Sequence, residues 1–242
     1  MRLFQDDPVA AALKHAIQHG DLEALQRLLA DHPGLAGARI GDAGGARTPL
    51  HIAADWPGFF PNGARVVAAL IAAGADPDDT GEGSGPVRET PLHWAASSDD
   101  AEVAGALIDG GADIELTHGS IADGTPLTNA VGYGCWQVAD LLLHRGARVG
   151  TLWEAAALGV LSRVEAFFAA TPGPTDPEIH HAFWQACHGG QPRSAAYLLE
   201  RGADLNWVPD YARQTPLGVV AGLSTRWDIL ASWLREKGAR SE

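Results

Sequence analysis

The stretch TPLHWAASSDDAEVAGALIDGGAD, residues 90–113, contains the two short motifs that decide the fold. Its first motif, Thr-Pro-Leu, begins four times along the chain, at Thr48, Thr90, Thr125 and Thr215. Its last motif, Gly-Ala-Asp, begins at Gly74, Gly111 and Gly202, and the related Gly-Ala-Arg begins at Gly146 and Gly238. Thr90 and Gly111 are 21 residues apart, as are Thr125 and Gly146, and 35 residues separate Thr90 from Thr125. A fixed period of this length predicts a tandem array of one structural unit.

Each unit has the sequence pattern of two helices with defined ends. Thr followed by Pro is a typical helix start, because the hydroxyl can accept from free amides and the proline ring fixes φ for the first turn. Asp7-Pro8 has the same form. In ADLLLHRGA, residues 139–147, apolar side chains at helical spacing predict a second helix, which Gly146 can end in the left-handed conformation. One such helix pair cannot bury its apolar face alone, so neighbouring units must stabilise one another.

The units TPLHIAA (Thr48–Ala54) and TPLHWAA (Thr90–Ala96) resemble the ankyrin repeat family, and in particular its bacterial stand-alone members. The resemblance implies a β-turn and two antiparallel helices per repeat, with His51 and His93 tying the turns of adjacent repeats together. We therefore expect an all-α fold, an ankyrin-repeat solenoid of about seven helix-turn-helix repeats with short β-turn fingers. It would form a single domain over residues 1–242, with repeats at 8–40, 41–79, 80–117, 118–149, 150–174, 175–208 and 209–240.

The composition is that of a globular protein with an acidic surface. The 242 residues are 46% hydrophobic and have a net charge of −13, of which −11 falls in residues 1–121. Because nucleic-acid binding needs clustered Lys and Arg, this charge argues against DNA or RNA and favours a basic protein partner. No apolar run reaches the roughly 18 residues that a membrane helix needs, and the first residues do not read as a signal peptide. We expect a cytoplasmic monomer without membrane contact.

Two segments are longer than the regular repeat allows, DWPGFFPNGA (Asp55–Ala64) and TGEGSGPVRE (Thr80–Glu89). Insertions in repeat proteins map to loops, which often lie on the binding side. A third segment, TPGPTDPE (Thr171–Glu178), predicts a Pro-rich loop in place of a finger. The insertions therefore point to the N-terminal half as the binding region.

The resemblance also implies a partner-binding groove, lined by the fingers and by the ends of the first helices. Carried over residue by residue, it selects from the helix ends Asp55, Trp56, Ser97, Ser98, Gly132, Tyr133 and His188. From the fingers it selects Gly44, Gly45, Arg47, Pro86, Val87, Glu89, Tyr211 and Gln214. Trp94, within the first helix of the third repeat, is a further candidate binding residue. Trp, Tyr and Arg are the residue types that anchor interfaces. For Trp56 the alternative is a loop plug that folds over the repeats.

Polar side chains replace apolar ones at one position of the first helices. Two residues after the motif Leu, the second and third repeats have Ile52 and Trp94, and the next three have Asn129, Glu154 and Gln185. Stacked repeats would align these three side chains in a polar ladder, with Tyr133 and His188 one helical turn along the same face. The ladder is either a structural hydrogen-bond network or a pocket for a ligand or for a partner's basic side chain.

These features predict a non-catalytic protein–protein interaction scaffold that binds a basic protein through the groove and the N-terminal loops. An immunity or inhibitor protein that blocks a toxin nuclease is one form of this function. The alternative is a small-molecule-binding protein or an atypical enzyme with its pocket around Asn129, Glu154, Gln185 and His188. We expect no cofactor and no metal, because Cys135 and Cys187 stand far apart and no phosphate-binding loop or ligand-spaced His pair occurs.

Overall fold

A computed structural model describes residues 1–42, 44–83, 88–220 and 225–241, with only the backbone described for Thr225 and Arg226. The described residues form 14 α-helices, one short 3₁₀ helix (Leu35–Gly37) and four short β-strands. They pack into two compact units, Met1–Arg148 and Val149–Glu242, here called unit 1 and unit 2. This mostly helical architecture agrees with the expected fold class. The predicted repeat boundaries stay a prediction.

The described part of unit 1 contains four antiparallel helix pairs. They are α1 (Pro8–His19) with α2 (Leu22–Asp31), α3 (Pro49–Ala53) with α4 (Gly63–Ala72), α5 (Pro91–Ser98) with α6 (Ala101–Asp109), and α7 (Pro126–Tyr133) with α8 (Trp136–His144). The first helices pack in the order α1, α3, α5, α7, and the second helices in the order α2, α4, α6, α8. The leucines of the Thr-Pro-Leu motifs, Leu50, Leu92 and Leu127, are fully buried between the pairs.

Unit 1 also contains a four-stranded sheet, here called the finger sheet. Its strands are β1 (Arg2–Phe4), β2 (Arg39–Asp42), β3 (Gly45–Arg47) and β4 (Glu82–Gly83), in that spatial order. β1 runs parallel to β2 with Arg2 opposite Arg39, and the other neighbours are antiparallel. The short fingers were expected from the resemblance. The pairing of β1 was not, because residues 2–4 carry no repeat motif.

Unit 2 contains three helix pairs in its described residues. They are α9 (Leu152–Leu158) with α10 (Leu161–Ala169), α11 (Asp176–His188) with α12 (Pro192–Leu199), and α13 (Pro216–Val220) with α14 (Thr225–Glu236). Helix α11 packs against both α9 and α13, and its Phe183 is fully buried at the centre of the core. The long first helix α11 therefore organises this unit.

Most of the predicted helix starts are confirmed by their hydrogen bonds. The Asp7 carboxylate accepts from the Val9 amide at 2.8 Å, and Thr125 Oγ1 accepts from the Thr128 amide at 3.4 Å. Gly146 has φ +90° after α8, as its position predicted. The loop predicted over Thr171–Glu178 is wrong in its second half, because Thr175 caps α11 and its amide donates to Glu178 Oε2 at 2.8 Å.

The insertion after α3 lies across neighbouring repeats. The Phe59 amide donates to Asp100 Oδ2 at 2.6 Å, and Asn62 Nδ2 donates to the Gly20 carbonyl at 3.0 Å. The insertion thus folds over its neighbours, as the alternative expected, but Trp56 itself is 79% exposed and is not a buried plug. Among the described helices, none has the length and apolar character needed to cross a membrane.

Candidate functional site

Seven of the predicted site residues line one cavity of about 300 Å³ in unit 1, here called the aromatic cavity. The seven are Asp55, Trp56, Glu89, Trp94, Ser97, Ser98 and Tyr133, and they are joined by Ala54 and Ser120. The lining residues come from the end of α3 and its insertion, from the middle and C-terminal end of α5, and from the end of α7 with the loop before it. Residues 40 to 80 positions apart in the sequence thus meet because the first helices pack side by side.

The aromatic rings of this cavity are accessible. Trp56 is 79% exposed and Tyr133 51% exposed, whereas Trp94 is half-buried and packs edge-on against His51 at 5.1 Å. Large exposed aromatic side chains around a concave site are the usual anchors of a protein interface. A partner could therefore contact these rings without a conformational change that exposes them.

A cation of the chain itself contacts two of the residues that line this cavity. Arg47, at the end of β3, places its guanidinium carbon 5.5 Å from the centre of the Trp94 ring. The same guanidinium donates to Asp55 Oδ2 at 2.5 Å. An aromatic face and a carboxylate thus hold one positive charge between them, which is a favourable arrangement for a cation.

Asn129 and Glu89 form the polar side of the cavity. Glu89 Oε1 accepts from Asn129 Nδ2 at 2.6 Å and from the Ser120 amide at 2.8 Å. Asn129 is fully buried, and its Oδ1 accepts from the Ile121 amide at 3.2 Å. Ser120 in turn contacts the Tyr133 hydroxyl at 3.2 Å. Asn129 therefore holds Glu89 and the loop before α7 in place, and it does so from beneath the surface.

A second cavity of about 330 Å³ lies beside the first, beneath the finger sheet. It shares Glu89 and Trp94 with the aromatic cavity and adds Arg47 and Glu82. The predicted finger residue Gly45 lines it, while Gly44 lies in the preceding turn, where its amide donates to Asp42 Oδ1 at 2.8 Å. The predicted Pro86 and Val87 lie outside the described residues.

Unit 2 has a different group of side chains, here called the histidine cluster. It consists of five rings and one amide: Trp153, His181, Trp184, Trp207, Tyr211 and Gln185. His181 Nε2 contacts the Tyr211 hydroxyl at 2.7 Å, and Gln185 Nε2 donates to that hydroxyl at 3.1 Å. Rings contact rings throughout, since the His181 ring lies 5.6 Å from Trp153 and 6.1 Å from Trp207. Burial lowers the pKa of His181, although Asp210 opposes this, and burial also raises the pKa of Tyr211.

The predicted residues His188 and Gln214 lie at the edge of this cluster. His188 Nδ1 lies 3.4 Å from Gln185 Oε1, and burial lowers the pKa of His188. The Gln214 carbonyl accepts from the Trp184 indole at 2.8 Å. Of the cluster, Gln185 and Tyr211 were predicted. Trp153, His181, Trp184 and Trp207 were missed, because their proximity depends on the register between α9, α11 and the loop before α13.

Glu154 has a local role at the start of α9. Its Oε2 accepts from the amides of Gly150 and Thr151, both at 2.9 Å, and the residue is 3% exposed. Counted from the helix start, Glu154 therefore occupies the third position after the cap, which His51 and His93 occupy in α3 and α5. Helix α9 lacks the proline of the other starts and is one residue shorter than α7. The polar ladder of Asn129, Glu154 and Gln185 stays a prediction.

Comparison with known proteins explains the repeated geometry. Residues 59–151 match the family model of ankyrin repeats in three copies. The chain therefore contains ankyrin repeats. The fold also matches the crystal structure of the human ASB11 ankyrin repeat domain, with a TM-score of 0.52 over 95% of this chain and 99% of that one, at 19% sequence identity.

A curated relative is an ankyrin repeat and KH domain-containing protein of Caenorhabditis briggsae, 29% identical over 161 residues. The matched region is 63% of this chain, which spans only 6% of that relative's length. The family model and the solved structure agree on the ankyrin repeat solenoid fold. Ankyrin repeats generally mediate protein–protein interaction.

The histidines of the Thr-Pro-Leu-His motifs act as the ankyrin resemblance implied. His51 Nδ1 accepts from the Thr48 amide at 3.3 Å, and Nε2 contacts the Glu89 carbonyl of the next repeat at 3.0 Å. Because a carbonyl can only accept, Nε2 carries the hydrogen. His93 makes the same link to the Gly124 carbonyl at 3.2 Å. Burial lowers the pKa of both imidazoles, which keeps them neutral and structural.

Proposed function

We propose that this ankyrin repeat protein binds a basic protein partner at the aromatic cavity of unit 1 and along the finger sheet beside it. The observation that carries the proposal is the meeting of exposed Trp56 and Tyr133 with the carboxylates of Asp55 and Glu89 around one cavity. Aromatic side chains supply contact area, and carboxylates supply charge complementarity to a cationic surface.

The charge distribution also favours unit 1 as the part that binds a basic partner. Residues 1–148 contain 20 Asp and Glu against nine Lys and Arg, whereas residues 149–242 contain ten against eight. A field of this sign accelerates the encounter with a basic protein and weakens as salt is added. Association should therefore slow markedly between low and physiological ionic strength.

We also propose inhibition as the form that this binding takes. Nucleases that act on polyanionic substrates present basic surfaces. An acidic, aromatic surface can cover such a site and exclude the substrate by occupying it. Once a partner is in hand, its activity in the presence and absence of this chain decides the point.

The alternative function, a small-molecule or catalytic pocket built on the polar ladder, receives less support. Asn129, Glu154 and Gln185 are each at most 3% exposed and hydrogen-bond to neighbouring backbone or side chains. Buried polar groups with such partners are ordinary structural elements. The accessible, acidic cavity beside Asn129 is the better candidate.

The test uses the full chain as bait, in the wild-type form and with Asp55→Asn and Trp56→Ala combined. Proteins captured from the source cells are identified and their binding is then measured with purified components. We expect a basic protein that the double variant loses. The matched control is Asp140→Asn, which removes the same charge from the exposed side of α8. If the wild-type chain and both variants capture the same proteins, the proposed surface is wrong.

A further inference from the structure

We infer that the aromatic cavity is a receptor for a single arginine side chain, supplied by the partner. This inference rests on the proposed function and specifies it: the partner would insert a guanidinium between the rings of Trp56, Trp94 and Tyr133. Three independent features of the cavity lead to this occupant.

The first feature is a carboxylate without a counter-charge. Glu89 is half-buried, and both of its hydrogen bonds come from neutral donors, the Asn129 amide and the Ser120 backbone. Among residues 1–42, 44–83, 88–220 and 225–241, no Lys, Arg or His forms an ion pair with it. A partly desolvated carboxylate gains most from a cation placed beside it.

The second feature is the pairing that the chain makes with its own arginine. Arg47 uses the Trp94 ring and the Asp55 carboxylate together, at 5.5 Å and 2.5 Å. Glu89 and Tyr133 line the same cavity as Asp55 and Trp94, and they lie 42 and 86 positions further along the sequence from Arg47. The cavity therefore has two carboxylates, Asp55 and Glu89, but only Asp55 is paired with Arg47. The negative charge of Glu89 would be neutralised by a second cation, supplied from outside the chain.

The third feature is the chemistry of the lining, which distinguishes between cations. Beside the rings, the cavity is lined by oxygen-bearing side chains that can accept hydrogen bonds, from Ser97, Ser98, Ser120 and Tyr133. A guanidinium presents five N–H donors in a plane that can stack on an indole. These oxygens already bond within the chain, but a hydroxyl oxygen can accept more than one hydrogen bond. A quaternary ammonium has no donors and could not use this remaining acceptor capacity. A cavity of about 300 Å³ is at the small end of ligand pockets, which suits one side chain.

The experiment observes the indole N–H signals of the ¹⁵N-labelled full chain by NMR. The probe is Nα-acetyl-arginine methylamide, and the comparison probe is the citrulline analogue, which has the same shape without the charge. Trp56→Phe and Trp94→Phe assign the two relevant signals. We expect saturable shifts of Trp56 and Trp94 with arginine, and binding weaker by about tenfold or more with citrulline.

Glu89→Gln tests the carboxylate directly, since glutamine keeps an oxygen for the Ser120 and Asn129 donors, removes the charge and replaces the second oxygen by an NH₂ group. We expect it to weaken the arginine response by about tenfold with an unchanged melting temperature, while Asp140→Asn leaves the response as in the wild type. Equal responses to arginine and citrulline, or an undiminished response in Glu89→Gln, would overturn the inference. Tighter binding of the trimethyl-lysine analogue than of arginine would overturn it in favour of a quaternary ammonium.

The two proposals fail separately. If arginine does not bind but the Asp55→Asn, Trp56→Ala variant loses its protein partner, the surface is correct and the single-arginine receptor is wrong. If arginine binds but capture is unaffected, the cavity is a cation site that the captured partner does not use.

Discussion

Units 1 and 2 both gather aromatic side chains on their first helices and the adjoining loops, but they arrange them differently. In unit 1 the rings of Trp56, Trp94 and Tyr133 surround a cavity of about 300 Å³ that also contains carboxylates. In unit 2 the rings of the histidine cluster contact one another, with centres 5.6 to 6.1 Å apart around His181. Rings that contact one another cover part of each other's surface, whereas rings around a cavity keep that surface accessible to a ligand. This difference in arrangement, and not the number of rings, is why we propose the cavity of unit 1 as the binding site.

The largest expected effect comes from changing the buried amide of Asn129 to a carboxylate, and the same change at Gln185 in unit 2 serves as the comparison. Asn129→Asp places a buried carboxylate next to Glu89 Oε1, where the Asn129 amide now donates at 2.6 Å. We expect a loss of about 3–5 kcal/mol in the free energy of unfolding at neutral pH, because the new charge is buried and faces a like charge. Urea denaturation followed by circular dichroism measures this.

Gln185→Glu is the matched change in unit 2. There the Tyr211 hydroxyl can donate to the new carboxylate and His188 can pair with it, at positions now 3.1 Å and 3.4 Å from the Gln185 side chain. We expect a loss of less than about 1.5 kcal/mol. Equal losses for the two variants would contradict the contrast drawn between these sites.

An effect smaller than that of Asn129→Asp but larger than that of Gln185→Glu is expected from Trp184→Phe in the histidine cluster. Trp184 is 6% exposed and donates through its indole to the Gln214 carbonyl at 2.8 Å. Phenylalanine removes this hydrogen bond and leaves a small void, so the free energy of unfolding should fall by about 2–3 kcal/mol. Thermal unfolding at several denaturant concentrations would show it, with the exposed Tyr211→Phe as a milder companion change.

His93→Gln separates two roles of the ankyrin motif histidine. Glutamine at this position can still accept from the Thr90 amide, as in a capping box, but it cannot replace the link from His93 Nε2 to the Gly124 carbonyl. We expect the free energy of unfolding to fall by about 1–2 kcal/mol at pH 7.5.

The same variant should change the pH dependence. Burial lowers the pKa of His93 from its ordinary value of 6.5, so below pH 6.5 the unfolded chain binds a proton that the native state does not. The wild type therefore loses stability as the pH falls below 6.5, and His93→Gln should lose less. Parallel curves for the two proteins between pH 7.5 and 5 would show that His93 does not contribute to this acid sensitivity.

The smallest effect on folding is expected from Trp56→Ala. Because Trp56 is 79% exposed, its removal should change the free energy of unfolding by no more than about 0.5 kcal/mol. Loss of partner capture with unchanged stability would separate an accessible ring of unit 1 from a packed ring of unit 2. A substantial loss of stability would instead show that Trp56 supports the insertion.

The sequence predicted the features that a repeat imposes at fixed spacing. The helix starts at Thr48 and Thr125, the end of α8 at Gly146 and the motif histidines all follow from residues within one repeat. The aromatic cavity could be anticipated in part, because the insertion at Asp55 and the ends of the first helices were both predicted to face a binding groove.

Contacts between distant segments could not be predicted in the same way. The bond between Asn129 and Glu89 joins residues 40 positions apart, and the stacking of Arg47 on Trp94 depends on where β3 ends. The histidine cluster was missed for a related reason. Adjacent histidines point apart on an isolated helix, but on α11 His180 and His181 both reach the Trp207 ring, at 6.3 Å and 6.1 Å.

The finger sheet has a consequence for how the end of the array opens. Repeats that touch only their nearest neighbours tend to fray from the terminal unit, and amide hydrogens there exchange first. In this protein β1 pairs with β2, and the Arg2 guanidinium contacts the Glu82 carboxylate, 80 positions further along. Fraying of the first helix pair would have to break the β1–β2 pairing and the link from Arg2 to β4 together. Strand β1 thereby ties the first helix pair to the finger sheet, which lies beside the candidate binding site.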